Sequence, residues 1–142
     1  VSDTSKGDLD LLWRVEVDLM IVHPKLTPGE ITAALGLSPF LALRVGDART
    51  AISGRPLRGR HRTTRWRYRS ARFADDPWFA ASVTLLVDRL MPHRDFLLHV
   101  SATGGRAELI VKFADERHHS DVIPLLTLIK MVELKLAFGI VC

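Results

Sequence analysis

The sequence predicts an α+β fold: about five strands in a mostly antiparallel sheet, with helices packed on one face, in the order β-α-β-β-α-β-α-β. Three observations carry that expectation. Several segments alternate apolar and charged residues at a period of two, the mark of strands buried on one side only and typical of antiparallel sheets. Others open with helix-capping residues and continue at helical spacing. The chain has 142 residues, 47% apolar and 25% charged, the balance of one globular domain (1–142) rather than of a disordered chain.

Residues 1–9, VSDTSKGDL, are mostly small and polar and read as a flexible lead-in. From Trp13 to Ile21 the chain alternates, with Trp13, Val15, Val17, Leu19 and Ile21 on one face and Arg14, Glu16 and Asp18 on the other. That is the first strand. KLTPGEITAALGL then specifies a helix from Pro28 to Leu35. Thr27 is its N-cap, Pro28 its first helical position, and Glu30 completes a capping box. Leu26 and Ile31 stand at the spacing of a hydrophobic staple, and Gly36 ends the helix in the left-handed conformation.

Leu41 to Val45 reads as the second strand, followed by a turn at Gly46-Asp47. ARTAISGRPLRG is a loop or an irregular hairpin, because Gly54, Pro56 and Gly59 interrupt any regular pattern. Thr63 to Ser70 is the third strand, with Arg65, Arg67 and Arg69 on one face and Trp66 and Tyr68 on the other. DDPWFAASVTLLVDRLM opens a helix with Asp76 as N-cap and Pro77 at its first position, and Phe79, Val83, Leu86 and Leu90 recur at helical spacing. Pro92 ends or kinks it near Met91. HRDFLLHVS forms a short second segment closed by Gly104-Gly105.

Arg106 to Ala114 is the fourth strand, with Ala107, Leu109, Val111 and Phe113 inward, and SDVIPLLTLIKMV a third helix from about Pro124. ELKLAFGIVC closes the chain as the last strand, with Leu134, Leu136, Phe138 and Ile140 inward.

A first strand, then EITAALGLSP, then Gly-Asp, then a glycine loop leading to a Trp and a Ser, resembles an uncharacterised bacterial family, domain of unknown function 4279. Ile31, Thr32, Leu35, Gly36, Leu37, Pro39, Gly46, Asp47, Trp66 and Ser70 carry the resemblance, which spans nearly the whole chain. The family has no established activity, so the resemblance implies the fold. The density of arginine exceeds what that pattern requires and is a feature of this protein.

Charge is distributed unevenly. Residues 44–72 hold ten arginines and one acid, Asp47, a net of +9, while the remainder holds ten basic and fifteen acidic residues, a net of −5. Such a field draws anions over about a Debye length, ~8–10 Å in ordinary salt. The candidate anion-binding residues are Arg55, Arg58, Arg60, Arg62, Arg65, Arg67, Arg69 and Arg72, whose guanidinium forks match phosphate and carboxylate.

Against that stands ion pairing within the sheet. Glu16, Asp18, Glu108 and, on the last strand, Glu133 point to the open face and offer partners to Arg65, Arg67 and Arg69. For the strand this is the favoured reading. For Arg55, Arg58, Arg60 and Arg62, in the loop, both readings stay open. Trp66 and Tyr68 face away from the arginines, unlike the exposed aromatics of single-strand binders. The order β-α-β-β-α-β also fits an RNA-recognition module, but RTTRWRYRSARF has neither its exposed aromatics nor its glycine in register.

No chemistry is named by spacing. DERHHSD places His118 and His119 near Asp115, Glu116 and Asp121, but in no metal-ligand spacing, and a solvated loop is the better reading. His23 and His61 are isolated. No nucleophile elbow is present, and Cys142, the only cysteine, allows no internal disulfide and fits a reducing cytoplasm. No metal or cofactor is implied. No stretch reaches the ~20 apolar residues a bilayer requires, so no membrane partner is expected.

The function expected is a cytoplasmic, non-catalytic binding module that contacts an acidic partner through residues 55–72: an acidic protein surface, a phosphorylated ligand or nucleic acid. Two alternatives stand beside it. One is an enzyme on a small anionic substrate, with arginines as clamp and His61 as proton shuttle, which requires a concave pocket where these converge. The other is a structural or regulatory homodimer joined through sheet edges or apolar helix faces.

Overall fold

A computed structural model describes residues 15–70, 79–113 and 120–141. Its centre is a five-stranded sheet built from β1 (Val15–His23), β2 (Leu41–Leu43), β5 (Thr64–Arg69), β6 (Arg106–Phe113) and β7 (Leu136–Val141). The spatial order is β2-β5-β1-β6-β7. Every pairing is antiparallel except that of β6 with β7, which runs parallel because a helical crossover separates the two. A separate two-stranded hairpin, β3 (Ala48–Thr50) and β4 (Pro56–Arg60), projects between β2 and β5. The architecture is therefore the α+β class expected.

Alternation decides which face is covered. Val17, Leu19 and Ile21 of β1, Trp66 of β5, and Ala107, Leu109 and Val111 of β6 are all buried on one side of the sheet. Over them lie α1 (Pro28–Leu35), α2 (Ala80–Leu90), α3 (Arg94–Ala102) and α4 (Leu125–Glu133), contributing Ile31, Leu86, Val87, Leu97 and Met131 to one core. Trp66 satisfies its indole N–H by donating to Thr32 Oγ1 of α1 at 3.0 Å, which joins the third strand of the sheet to the first helix. No helix of the described residues is long and apolar enough to cross a membrane.

The helix ends follow local chemistry. Thr27 Oγ1 accepts from the backbone N–H of Glu30 at 3.2 Å, Pro28 occupies the first position, and Gly36 ends α1 at φ 66°. α2 begins at Ala80, and Asp76 and Pro77, expected to open it, lie outside the described residues. The acceptor at its N-terminus comes from elsewhere: Asp121 Oδ2 takes the Ala80 N–H at 3.0 Å. Pro92 sits in a 3₁₀ turn, Met91–His93, that redirects the chain from α2 into α3.

Four expectations change. The second strand stops at Leu43 rather than Val45, and Trp13 lies outside the described residues. Glu133 closes α4 instead of standing on the last strand, which begins at Leu136 after Lys135 turns the chain at φ 54°. Phe138 and Ile140 share the inward face with Leu136, yet are 40% and 60% exposed, on a strand at the edge of the sheet. Asp18, assigned to an open face, has a fully buried side chain.

Candidate anion-binding site

The arginines of β5 divide into two groups according to what lies opposite them. Register places Arg69 opposite Asp18 and Arg67 opposite Met20 on β1. Asp18 is consequently enclosed by two guanidiniums: Arg67 Nε donates to Oδ2 at 2.7 Å and Arg69 Nε to Oδ1 at 3.0 Å. Arg69 Nη2 also reaches Glu16 at 3.0 Å. The hydrogen bond to Asp18, reinforced by both acids, raises the Arg69 guanidinium above its ordinary pKa. Phe40, 52% exposed, covers the pair from outside, with Arg69 Cζ 4.3 Å and Arg67 Cζ 5.9 Å from its ring centroid. Arg67 and Arg69 are thus paired with acids of β1 within the sheet.

Arg65 is different. Its neighbours in register are Val22 on β1 and Leu43 on β2, neither able to neutralise it. Glu108 pairs with Arg106 at 2.8 Å instead. Among the described residues no carboxylate pairs with Arg65, nor with Arg55, Arg58, Arg60 or Arg62. Arg72 lies outside the described residues.

The β3–β4 hairpin brings a second set of arginines beside Arg65. Its neck is tied by backbone bonds, Gly46 N to His61 O and His61 N to Asp47 O, both at 2.9 Å. Buried Thr64 fixes the adjoining turn by accepting the Val45 N–H at 3.0 Å. Arg60 Nη1 donates to Gly46 O at 2.8 Å, which aims its guanidinium back toward the neck, and Arg49 Nη1 reaches Arg58 O at 3.4 Å. Each has further N–H donors to spare, since a guanidinium carries five.

The result is a concavity of about 440 Å³ lined by Leu43, Arg49, Arg60, His61, Arg62, Thr63 and Arg65. Four arginines, a histidine and a hydroxyl converge there, and among the described lining residues none is an acid. Such a surface can hold a multiply charged anion by charge-assisted hydrogen bonds. Of the eight candidate arginines, Arg60, Arg62 and Arg65 are brought together. Arg55 and Arg58 lie on exposed parts of the hairpin outside the lining, and Arg67 and Arg69 are occupied.

Arg49 and Phe40 were not among the residues singled out. Arg49 lay across the interrupted loop, and its approach depends on hairpin closure. Phe40 precedes the second strand, and only the Phe40 N–H bond to Arg67 O, at 2.9 Å, puts its ring over the arginines.

A second cavity, about 460 Å³ between β5 and α2, is lined largely by Tyr68, Leu85, Leu86 and Arg89. Its charged groups are engaged: Arg89 donates to the Tyr68 hydroxyl at 3.3 Å, and Asp88 pairs with Lys130 at 2.8 Å. Among the described residues no three His, Cys, Asp or Glu side chains are grouped to hold a metal ion. Asp121 serves the N-terminus of α2, and His118 and His119 lie outside the described residues.

A family model described as "Domain of unknown function (DUF4279)" matches residues 13–139. No curated protein and no solved structure matches. The family match covers most of the chain, and the chain belongs to that family.

Proposed function

We propose that this member of the domain of unknown function 4279 family is a non-catalytic binding module that takes a phosphorylated or similarly multivalent acidic ligand in the concavity beside β5. One observation carries the reading: Arg49, Arg60, Arg62 and Arg65 converge on a hollow with no carboxylate among the described residues of its lining. Ion pairs within the sheet would have made the basic strand inert, and two of its arginines are indeed so used. Those that face the hollow are not. Phosphate groups on a small molecule, an acidic protein or nucleic acid present the same chemistry to it.

The test is a fluorescence titration, using the tryptophan signal, against tripolyphosphate, single-stranded and duplex DNA and an acidic peptide, repeated across salt. Binding is expected to weaken linearly with log salt, and Arg62→Ala or Arg65→Ala to lower the slope by about one each. Arg67→Ala is expected to leave ligand affinity nearly unchanged. Flat curves at low salt for every probe refute the proposal.

His61 favours a second reading, an enzyme on a small anionic substrate, because it lines the same hollow as the arginines. Under that reading His61→Ala abolishes turnover of a bound phosphoester and spares its affinity. Absence of turnover in the wild type leaves the binding module.

A further inference from the structure

The opposite edge of the sheet has a different character. β2, at one edge, is only three residues long, whereas β7, at the other, runs for six, LAFGIV, with no charge and no proline. Natural sheets blunt their edges with charges, proline, bulges or very short strands, and β7 has none of these. Beside it, α4 is turned so that Thr127 and Lys130 face α2, through Thr84 at 3.1 Å and Asp88 at 2.8 Å. At 100° per residue, Leu125, Leu128 and Val132 then fall on the flank away from α2, and all three are exposed. Phe138 and Ile140 point to the same side of the sheet as this helix, opposite Leu109 and Val111 in register.

We infer that β7 and α4 form the interface of a homodimer, in which β7 pairs antiparallel with β7 of a second copy. Geometry selects a second copy. Antiparallel pairing of two identical strands places a two-fold axis perpendicular to the sheet, so both copies keep their helices on the same face. One rotation therefore extends the hydrogen-bond ladder and sets the apolar flank of α4 against its own equivalent.

Area agrees. Leu125, Leu128, Val132, Phe138 and Ile140 expose on the order of 500 Å² together, a large part of the ~800 Å² per partner of a standard interface, before the strand backbone is counted. Charge agrees too. β5 lies three strands from β7, so the two basic strands of the dimer stand about 34 Å apart, beyond mutual repulsion in ordinary salt.

Sedimentation velocity on the full chain in reductant, from about 1 to 100 µM, tests the inference. The expected species has twice the 15.9 kDa chain mass. Val132→Glu and Ile140→Lys, both at exposed positions, are expected to weaken association by on the order of thirtyfold or more, as loss of a central contact does, with unchanged circular dichroism. Two variants on different elements keep the test open if one fails to fold. A wild-type monomer throughout overturns the inference, as does a dimer indifferent to whichever variants fold, or a mass that keeps growing with concentration.

Discussion

His23 is buried at the end of β1, and its ring joins three segments. Nδ1 accepts the backbone N–H groups of Lys25 at 3.0 Å and Leu26 at 2.9 Å, so it carries no proton. Nε2 therefore donates to Thr103 Oγ1 at 2.7 Å, and that hydroxyl donates onward to His99 O at 2.7 Å. Burial lowers the pKa of the ring, helped by His99 and Lys25 and opposed by Glu30. A histidine lowered in the folded state binds more protons when unfolded. Its contribution is fully present above about pH 6.5 and is lost as pH falls through the folded value. Urea unfolding is expected to show stability declining from pH 7 to 5. His23→Gln should cost about 1–3 kcal/mol at pH 7 through the orphaned amides, and should flatten that slope. Asp18→Ala is expected to cost about 1–3 kcal/mol by urea unfolding, less than for a fully buried pair because Arg67 and Arg69 keep some solvent. The Asp18 pairing was legible, since alternation puts acids and arginines on one face. The His23–Thr103 bond was not, because no local pattern links positions 80 residues apart.

Elements whose signals are local were readable, and those completed from a distance were not. Thr27, Pro28, Glu30 and Gly36 lie within one short stretch and specify α1 unaided. The acceptor at the start of α2 comes from Asp121, and Asp121→Ala is expected to lower stability by about 0.5–2 kcal/mol in thermal or urea unfolding. The entry to β6 is tighter still. A Cβ on Gly105 would stand 2.5 Å from the His23 ring and 2.8 Å from Val22 O, and the backbone atom cannot step aside as a flexible side chain would. Gly105→Ala is therefore expected to cost about 1–3 kcal/mol, measured the same way, by overpacking. For β7, alternation identified the face of Phe138 and Ile140 correctly. It could not say whether another layer covers that face, because periodicity reports orientation and not cover.

Over the whole molecule, the strand order separates two surfaces, a basic one around β5 and the hairpin and an apolar one at β7. The segment charge was legible as a sum, but which arginines are neutralised depended on register, and the hollow depended on an irregular hairpin that the sequence did not distinguish from a loop. That hairpin is exposed along both strands and packs chiefly on itself. It meets the body at its neck, and the hollow has one wall on each. The arrangement works like a clasp: whatever fills the gap fastens the arm down. The arm is also rich in the bonds trypsin cuts, so limited digestion is expected to nick the free protein first between residues 49 and 62, and tripolyphosphate to slow that nick. Equal cleavage with and without the polyanion would mean that arm and body do not close on a common guest.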